Sequence, residues 1–123
     1  MEHLPERRAS RRVIVGPEHT IRFSVKGHAF REVRITNVSL TGCFAMVNQR
    51  DASLFVQGAL LEHFAFEHPD LSLGPITAKV MYLLGGSSEQ ASLDFMGVGI
   101  HFIGIDEGAS RMLEDFLSAS LNP

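Results

Sequence analysis

Thr20-Ile21-Arg22-Phe23-Ser24-Val25-Lys26-Gly27-His28 is the stretch that sets the fold class. Ile21, Phe23 and Val25 alternate with Thr20, Arg22, Ser24 and Lys26. That period of two belongs to a strand with one face buried and one wet. Gly27-His28 predicts a tight turn. A second strand follows, with Phe30, Glu32, Arg34 and Thr36 on one face and Val33 and Ile35 on the other. A two-stranded hairpin is not stable alone in water, so more strands must cover its apolar face.

The rest of the chain supplies them. Asn37 to Gly42 carries turn chemistry, residues 43–47 read as a third strand, and the polar residues 48–53 read as a loop. Residues 60–66 give a fourth strand, 69–75 a connection and 76–82 a fifth strand. Gly85-Gly86-Ser87-Ser88 reads as a hairpin loop. Residues 91–105 form a long strand, bent where Gly97, Gly99 and Gly104 permit a bulge or a close backbone approach. Then the period changes. Asp106 is a good N-cap, and Met112, Leu113, Phe116 and Leu117 recur at helical spacing, which predicts a helix over about 107–120. Short strands at regular intervals point to an all-β sandwich or closed barrel, here ending in one helix.

The bulk properties agree with one domain. The chain has 123 residues and is 45% apolar, enough to build a core. Its net charge is −3, so a whole-protein basic field for DNA is missing. Residues 1–12 hold four arginines against two glutamates, while the remainder holds seven basic against twelve acidic residues. The positive charge therefore sits on an N-terminal arm with almost nothing apolar to bury, expected to be mobile, ahead of a single domain over 13–123. Cys43 is the sole cysteine, which rules out an internal disulfide. Neither a leader-like apolar segment nor a run of the roughly 20 apolar residues that span a bilayer is visible, so the expectation is a cytoplasmic protein without membrane insertion.

Two motifs carry chemistry. Glu6-Arg7-Arg8-Ala9-Ser10-Arg11-Arg12 is one, and Asn37-Val38-Ser39-Leu40-Thr41-Gly42 is the other. Alone, the first reads as a solvated tail. The second alone reads as a turn, with Asn and Ser bonding their own backbone and Gly at positive φ. Together they resemble the PilZ family, which has Arg-x-x-x-Arg on an arm and Asp/Asn-x-Ser-x-x-Gly on the barrel. Arg8 and Arg12 match the first signature, and Asn37, Ser39 and Gly42 match the second, 25 residues after Arg12. Gly97-Val98-Gly99-Ile100-His101-Phe102 resembles the family's glycine-bearing last strand, so the likeness runs over nearly the whole chain.

The resemblance implies a six-stranded antiparallel barrel of split-barrel type and a receptor for cyclic di-GMP. The residue types suit that ligand, which has two phosphates and two guanines. A guanidinium fork pairs phosphate or the O6/N7 edge of guanine in bidentate fashion, and its flat face stacks on a purine. Residues four apart in an extended arm point the same way, about 13 Å apart. By resemblance Arg7, Arg8, Arg12, Asn37, Ser39 and Gly42 are ligand-binding, with Arg11 and Gly99 as additional candidates. Asn37 and Ser39 would hydrogen-bond a guanine edge or phosphate, and Gly42 would let the backbone approach and turn. Three departures stand out: Asn for the commoner Asp at 37, Ile14 where proline is frequent, and the fourth arginine Arg11, which leaves Arg7/Arg11 as a second register.

Other chemistries are weaker. His63 and His68 with Glu62 and Glu67 fit no standard zinc spacing, so no metal site is expected. Ser39 lacks the Gly-x-Ser-x-Gly setting of a nucleophile, and the Gly85–Ser88 stretch lacks the ending of a P-loop. No catalytic residues and no cofactor are expected. Three functions remain: a messenger receptor that signals to an unidentified protein partner as a monomer or weak dimer, an interaction module with the same fold and no ligand, and a nucleic-acid binder using the arm. The acidic remainder and the scarcity of stacking aromatics disfavour the last.

Overall fold

The computed structural model describes residues 12–71, 76–84 and 94–121. Arg7, Arg8, Arg11, the 85–88 loop and residues 91–93 of the expected long strand lie outside the described residues. Seven strands and one long helix make up the rest: β1 (Val13–Ile14), β2 (Thr20–Val25), β3 (His28–Val38), β4 (Gly42–Asn48), β5 (Leu60–Phe66), β6 (Ile76–Leu84), β7 (Phe95–Gly104) and α1 (Glu107–Leu121). The hydrogen-bonded order β3-β2-β5-β6-β7-β4 closes on itself through a β3–β4 pairing, with every pairing antiparallel. The expected six-stranded barrel is therefore present, and β1 extends the sheet from the same edge of β3 that β2 occupies.

The alternation in β2 does what its sequence dictates: Ile21, Phe23 and Val25 are buried. The hairpin turn lies one residue earlier than expected. Lys26 and Gly27 have φ of 51° and 82°, and Val25 pairs with His28. Positive φ at both central residues matches the right-handed twist of the strands it joins. The strict two-faced reading of the second strand fails at Glu32, whose φ is 54°. An extra residue there shifts the β2–β3 register, and Phe30 turns inward to stack on Phe23, with ring centroids 5.3 Å apart. His63, at φ 56°, lies where the register of β5 shifts against β2. Bulges on both neighbours of β2 bend the sheet, which is how a small barrel closes. Glu67 serves one of them. Its Oε1 accepts from the Glu32 amide at 3.1 Å and from Thr20 Oγ1 at 2.8 Å.

Phenylalanines fill the interior. Phe23, Phe55, Phe64, Phe66 and Phe102 are buried, and Phe64 meets the edge of Phe102 at 5.6 Å. Residues 48–53, expected as a loop, contribute to a 3-10 helix over Gln49–Leu54, capped by Asn48 Oδ1 accepting from the Arg50 amide at 2.9 Å. That turn delivers Phe55 into the core. Asp106 caps α1 as expected, its Oδ1 accepting from the Ala109 amide at 2.7 Å. Leu113 and Leu117 are buried, but Met112 is 52% exposed and falls off the stripe. The second strand also runs on through Asn37 and Val38, so the turn reduces to Ser39–Thr41.

Two expectations follow. Gly42 packs β4 against β7 so closely that a Cβ would collide with the Ile100 carbonyl oxygen, whereas at Gly99 it would meet only the ring of the exposed Tyr82. Gly42→Ala should cost about 1–3 kcal/mol or more in urea unfolding, and Gly99→Ala well under half of that. Cys43 is fully buried, and desolvation pushes its thiol far above the ordinary range despite the Arg12 charge. A thiol reagent should leave Cys43 unmodified in native protein and react at once in urea.

Candidate functional site

Arg12 and Asn37 meet at the point where β1 leaves the N-terminal segment. Arg12 Nη1 donates to Asn37 Oδ1 at 2.7 Å. The other side of the amide, Nδ2, lies 3.5 Å from Thr36 Oγ1. Asn37 sits within the ladder rather than in a turn. It pairs with Ile14 on one edge of β3 and with Phe44 on the other. The contact uses one of the five donors on the guanidinium, and Arg12 is exposed. Arg12, assigned by sequence to a mobile arm, is thus seated on the barrel.

Strand register builds the surface around this pair. Asn37 pairs with Phe44, Phe44 with Gly99, and Gly99 with Tyr82. Paired residues share a face, so these four form one row across β3, β4, β7 and β6. The adjoining row Val38, Cys43, Ile100 and Val80 is buried, which places the first row on the outside. The rings of Phe44 and Tyr82 lie 6.2 Å apart, and a Cβ on Gly99 would strike Tyr82. The missing side chain lets the Tyr82 ring lie over β7, and the two rings, tilted 36° to each other, form an aromatic floor beside a polar corner. Next to it the β3–β4 ladder opens into a groove of about 520 Å³, lined by Glu32, Arg34, Thr36, Met46 and Phe95 among others.

The remaining motif residues have structural places. Ser39 is fully buried. Its Oγ accepts from the Thr41 amide at 3.2 Å and lies 3.4 Å from the Gly42 carbonyl oxygen, which also accepts from the Ser39 amide at 2.8 Å. The serine therefore closes the β3–β4 turn on itself. Gly42 is absent from the positive-φ residues, contrary to the turn reading. It is a strand residue selected for the close approach to Ile100, and it shares its rung with the half-buried His101. Sequence reasoning did not single out Phe44 and Tyr82. Phe44 was legible in principle, since it lies two residues after Gly42 and so on the same face. Tyr82 was not, because a register shift after Val80 turns it outward.

His63 and His68 do not form a cluster with Glu62 and Glu67. Glu67 is committed to the bulge at Glu32, and His68 instead meets His19, which belongs to no motif in the sequence. Among the described residues, no helix is long and apolar enough to cross a membrane.

Comparison with known proteins places this architecture. The PilZ domain profile matches residues 6–119. The fold superposes on MrkH from K. pneumonia in its apo state with a TM-score of 0.76 and 17% identity, over 90% of this chain and 48% of that one. It superposes on the MrkH–c-di-GMP complex with a TM-score of 0.73 and 17% identity, over 90% and 51%. The PilZ domain of YcgR from Escherichia coli with c-di-GMP gives a TM-score of 0.69 at 10% identity, over 90% and 88%. The chain thus spans about half the length of MrkH and most of the YcgR domain. No curated relative matches the sequence. At such identities the solved structures speak for the fold, while the profile covers nearly the whole sequence: the chain belongs to the PilZ domain family.

Proposed function

We propose that this chain is a non-catalytic receptor for cyclic di-GMP, held on the outer row of β3, β4, β7 and β6 beneath the N-terminal arginines. The Arg12–Asn37 bond carries the reading: two motifs far apart in sequence touch at 2.7 Å. Arg12 then stands at one end of the aromatic floor with donors for a phosphate or a guanine edge. Phe44 and Tyr82 offer faces for a purine, and stacking on an aromatic ring contributes about 1–3 kcal/mol per base. Gly99 makes room for the Tyr82 ring that forms part of this floor. Arg7 and Arg8 would close over the ligand from the arm, and the composite of arm, ligand and barrel would be the surface read by a protein partner. The complexes of MrkH and YcgR with c-di-GMP support the ligand class. Ser39 contributes by shaping the corner, since its hydroxyl is spent inside the turn.

Calorimetric titration with cyclic di-GMP tests the reading, and a folded parent protein that takes up no ligand would sink it. Arg12→Ala and Arg8→Ala each remove charge-assisted hydrogen bonds of about 1.5–3 kcal/mol, so each should bind about ten- to hundred-fold more weakly with an unchanged melting temperature. Asn37→Asp places a carboxylate beside Arg12 and should tighten binding. Ser39→Ala behaves differently. It removes a fully buried hydroxyl that accepts from the Thr41 amide and lies against the Gly42 carbonyl oxygen, and should lower stability by about 1–2 kcal/mol, measured by urea unfolding, while binding falls only as far as the turn relaxes.

A further inference from the structure

The β1–β2 connection and the segment leaving β5 meet beside α1, and there the fold gathers side chains that are far apart in the sequence. His19 is 7% exposed. Its ring stacks on that of His68, centroids 3.9 Å apart and planes 15° from parallel, with Phe116 of α1 edge-on at 5.5 Å. The Nδ1 atom of His19 is buried without a hydrogen-bond partner, and Nε2 lies 3.8 Å from Glu18 Oε2. One ligand atom from each of Glu18, His19 and His68 lies within 4.8 Å of the others. We propose that Glu18, His19 and His68 form a binding site for a divalent transition-metal ion of the zinc type.

A buried polar atom with no partner forfeits its hydration and gains nothing in exchange, so such atoms are rare and call for a reason. A metal ion is one reason: it takes the free Nδ1 lone pair of a neutral imidazole, and the exposed Glu18 carboxylate, 3.8 Å from Nε2 in this structure, must swing round the ring edge to join it. Two imidazoles and a carboxylate are a donor set suited to zinc, with a fourth position left for water.

The geometry also indicates how the site would close. Rings stacked in parallel direct their lone pairs along parallel lines, so one must turn before both face a single ion. His68 is the ring free to do so. Its Nδ1 accepts from the Asp70 amide at 3.0 Å, so Nε2 carries the ring proton, and that proton must move to Nδ1 before Nε2 can take the metal. Asp70 Oδ2 is 4.0 Å from the same Nδ1, so a small rotation exchanges amide for carboxylate. That is the outer partner that orients a metal-bound histidine and raises its basicity. The Glu18 side chain is 60% exposed and gives the ion a route in from solvent. His63, the histidine nearest to His68 in sequence, occupies an exposed bulge position and takes no part.

The test is titration of the full chain with zinc chloride, followed by calorimetry and thermal melting. The parent should take up one equivalent and melt at a higher temperature with zinc, because the ion binds only the folded chain. His68→Ala should abolish both effects. Glu18→Gln, at a solvent-exposed position where folding is not at risk, should weaken uptake by more than about tenfold. His63→Ala should match the parent. Equal uptake by the parent, His68→Ala and Glu18→Gln would assign the binding to scattered surface histidines and overturn the proposal, as would no uptake by the folded parent.

Discussion

The register of the ladder β3–β4–β7–β6 is the constraint on which the rest of this structure depends. Val38, Cys43, Ile100 and Val80 form one inward rung, none of them more than 3% exposed. A slip of one residue in any strand would turn its whole buried set to solvent, at about 1.5–3 kcal/mol for each large side chain moved. The same register that is held by these apolar contacts fixes the neighbouring outward rung. Asn37, Phe44, Gly99 and Tyr82 are therefore aligned by the core beneath them, with no need of contacts among themselves. The register of the core thus sets where these side chains stand, although they lie on the surface.

Glycine and serine share the labour in that ladder. Gly42 permits the backbone of β4 to approach Ile100, and Ser39 satisfies the turn that brings β4 alongside β3. Both belong to the motif that the resemblance associates with ligand, yet both act here on the path of the chain. The exposed Arg12 and the half-buried Asn37 supply the polar chemistry. A single motif thus combines residues that set the geometry with residues that present functional groups.

The strand-flanking loops have a second role. The β1–β2 connection runs from the Arg12 corner to His19 within a few residues, and it is pinned there by backbone bonds from the Val15 amide to Thr36 and from the Ile35 amide to His19. His19, His68 and Phe116 then join this connection to the β5 exit and to α1. The helix is fastened to the barrel through Leu113 and Leu117 in the core and through this aromatic stack at its rim.

By itself the sequence determined the class of every strand with clean alternation, the capped helix after Asp106, and the pairing of an arginine motif with an Asn-x-Ser-x-x-Gly motif. Those features are local: period, turn chemistry and capping act over a few residues, and the motifs are strings. What only the tertiary structure decided depends on partners distant in the chain. The bulge at Glu32 that turns Phe30 inward answers the curvature of a closed barrel. The burial of Ser39 and the strand conformation of Gly42 answer the approach of β7. Met112 fell outside the helix stripe because the barrel covers only the side carrying Leu113 and Leu117. Phe44 came to face Tyr82 across Gly99, and His19 to stack on His68, because closure brought together strands and loops whose sequences contain no mark of one another.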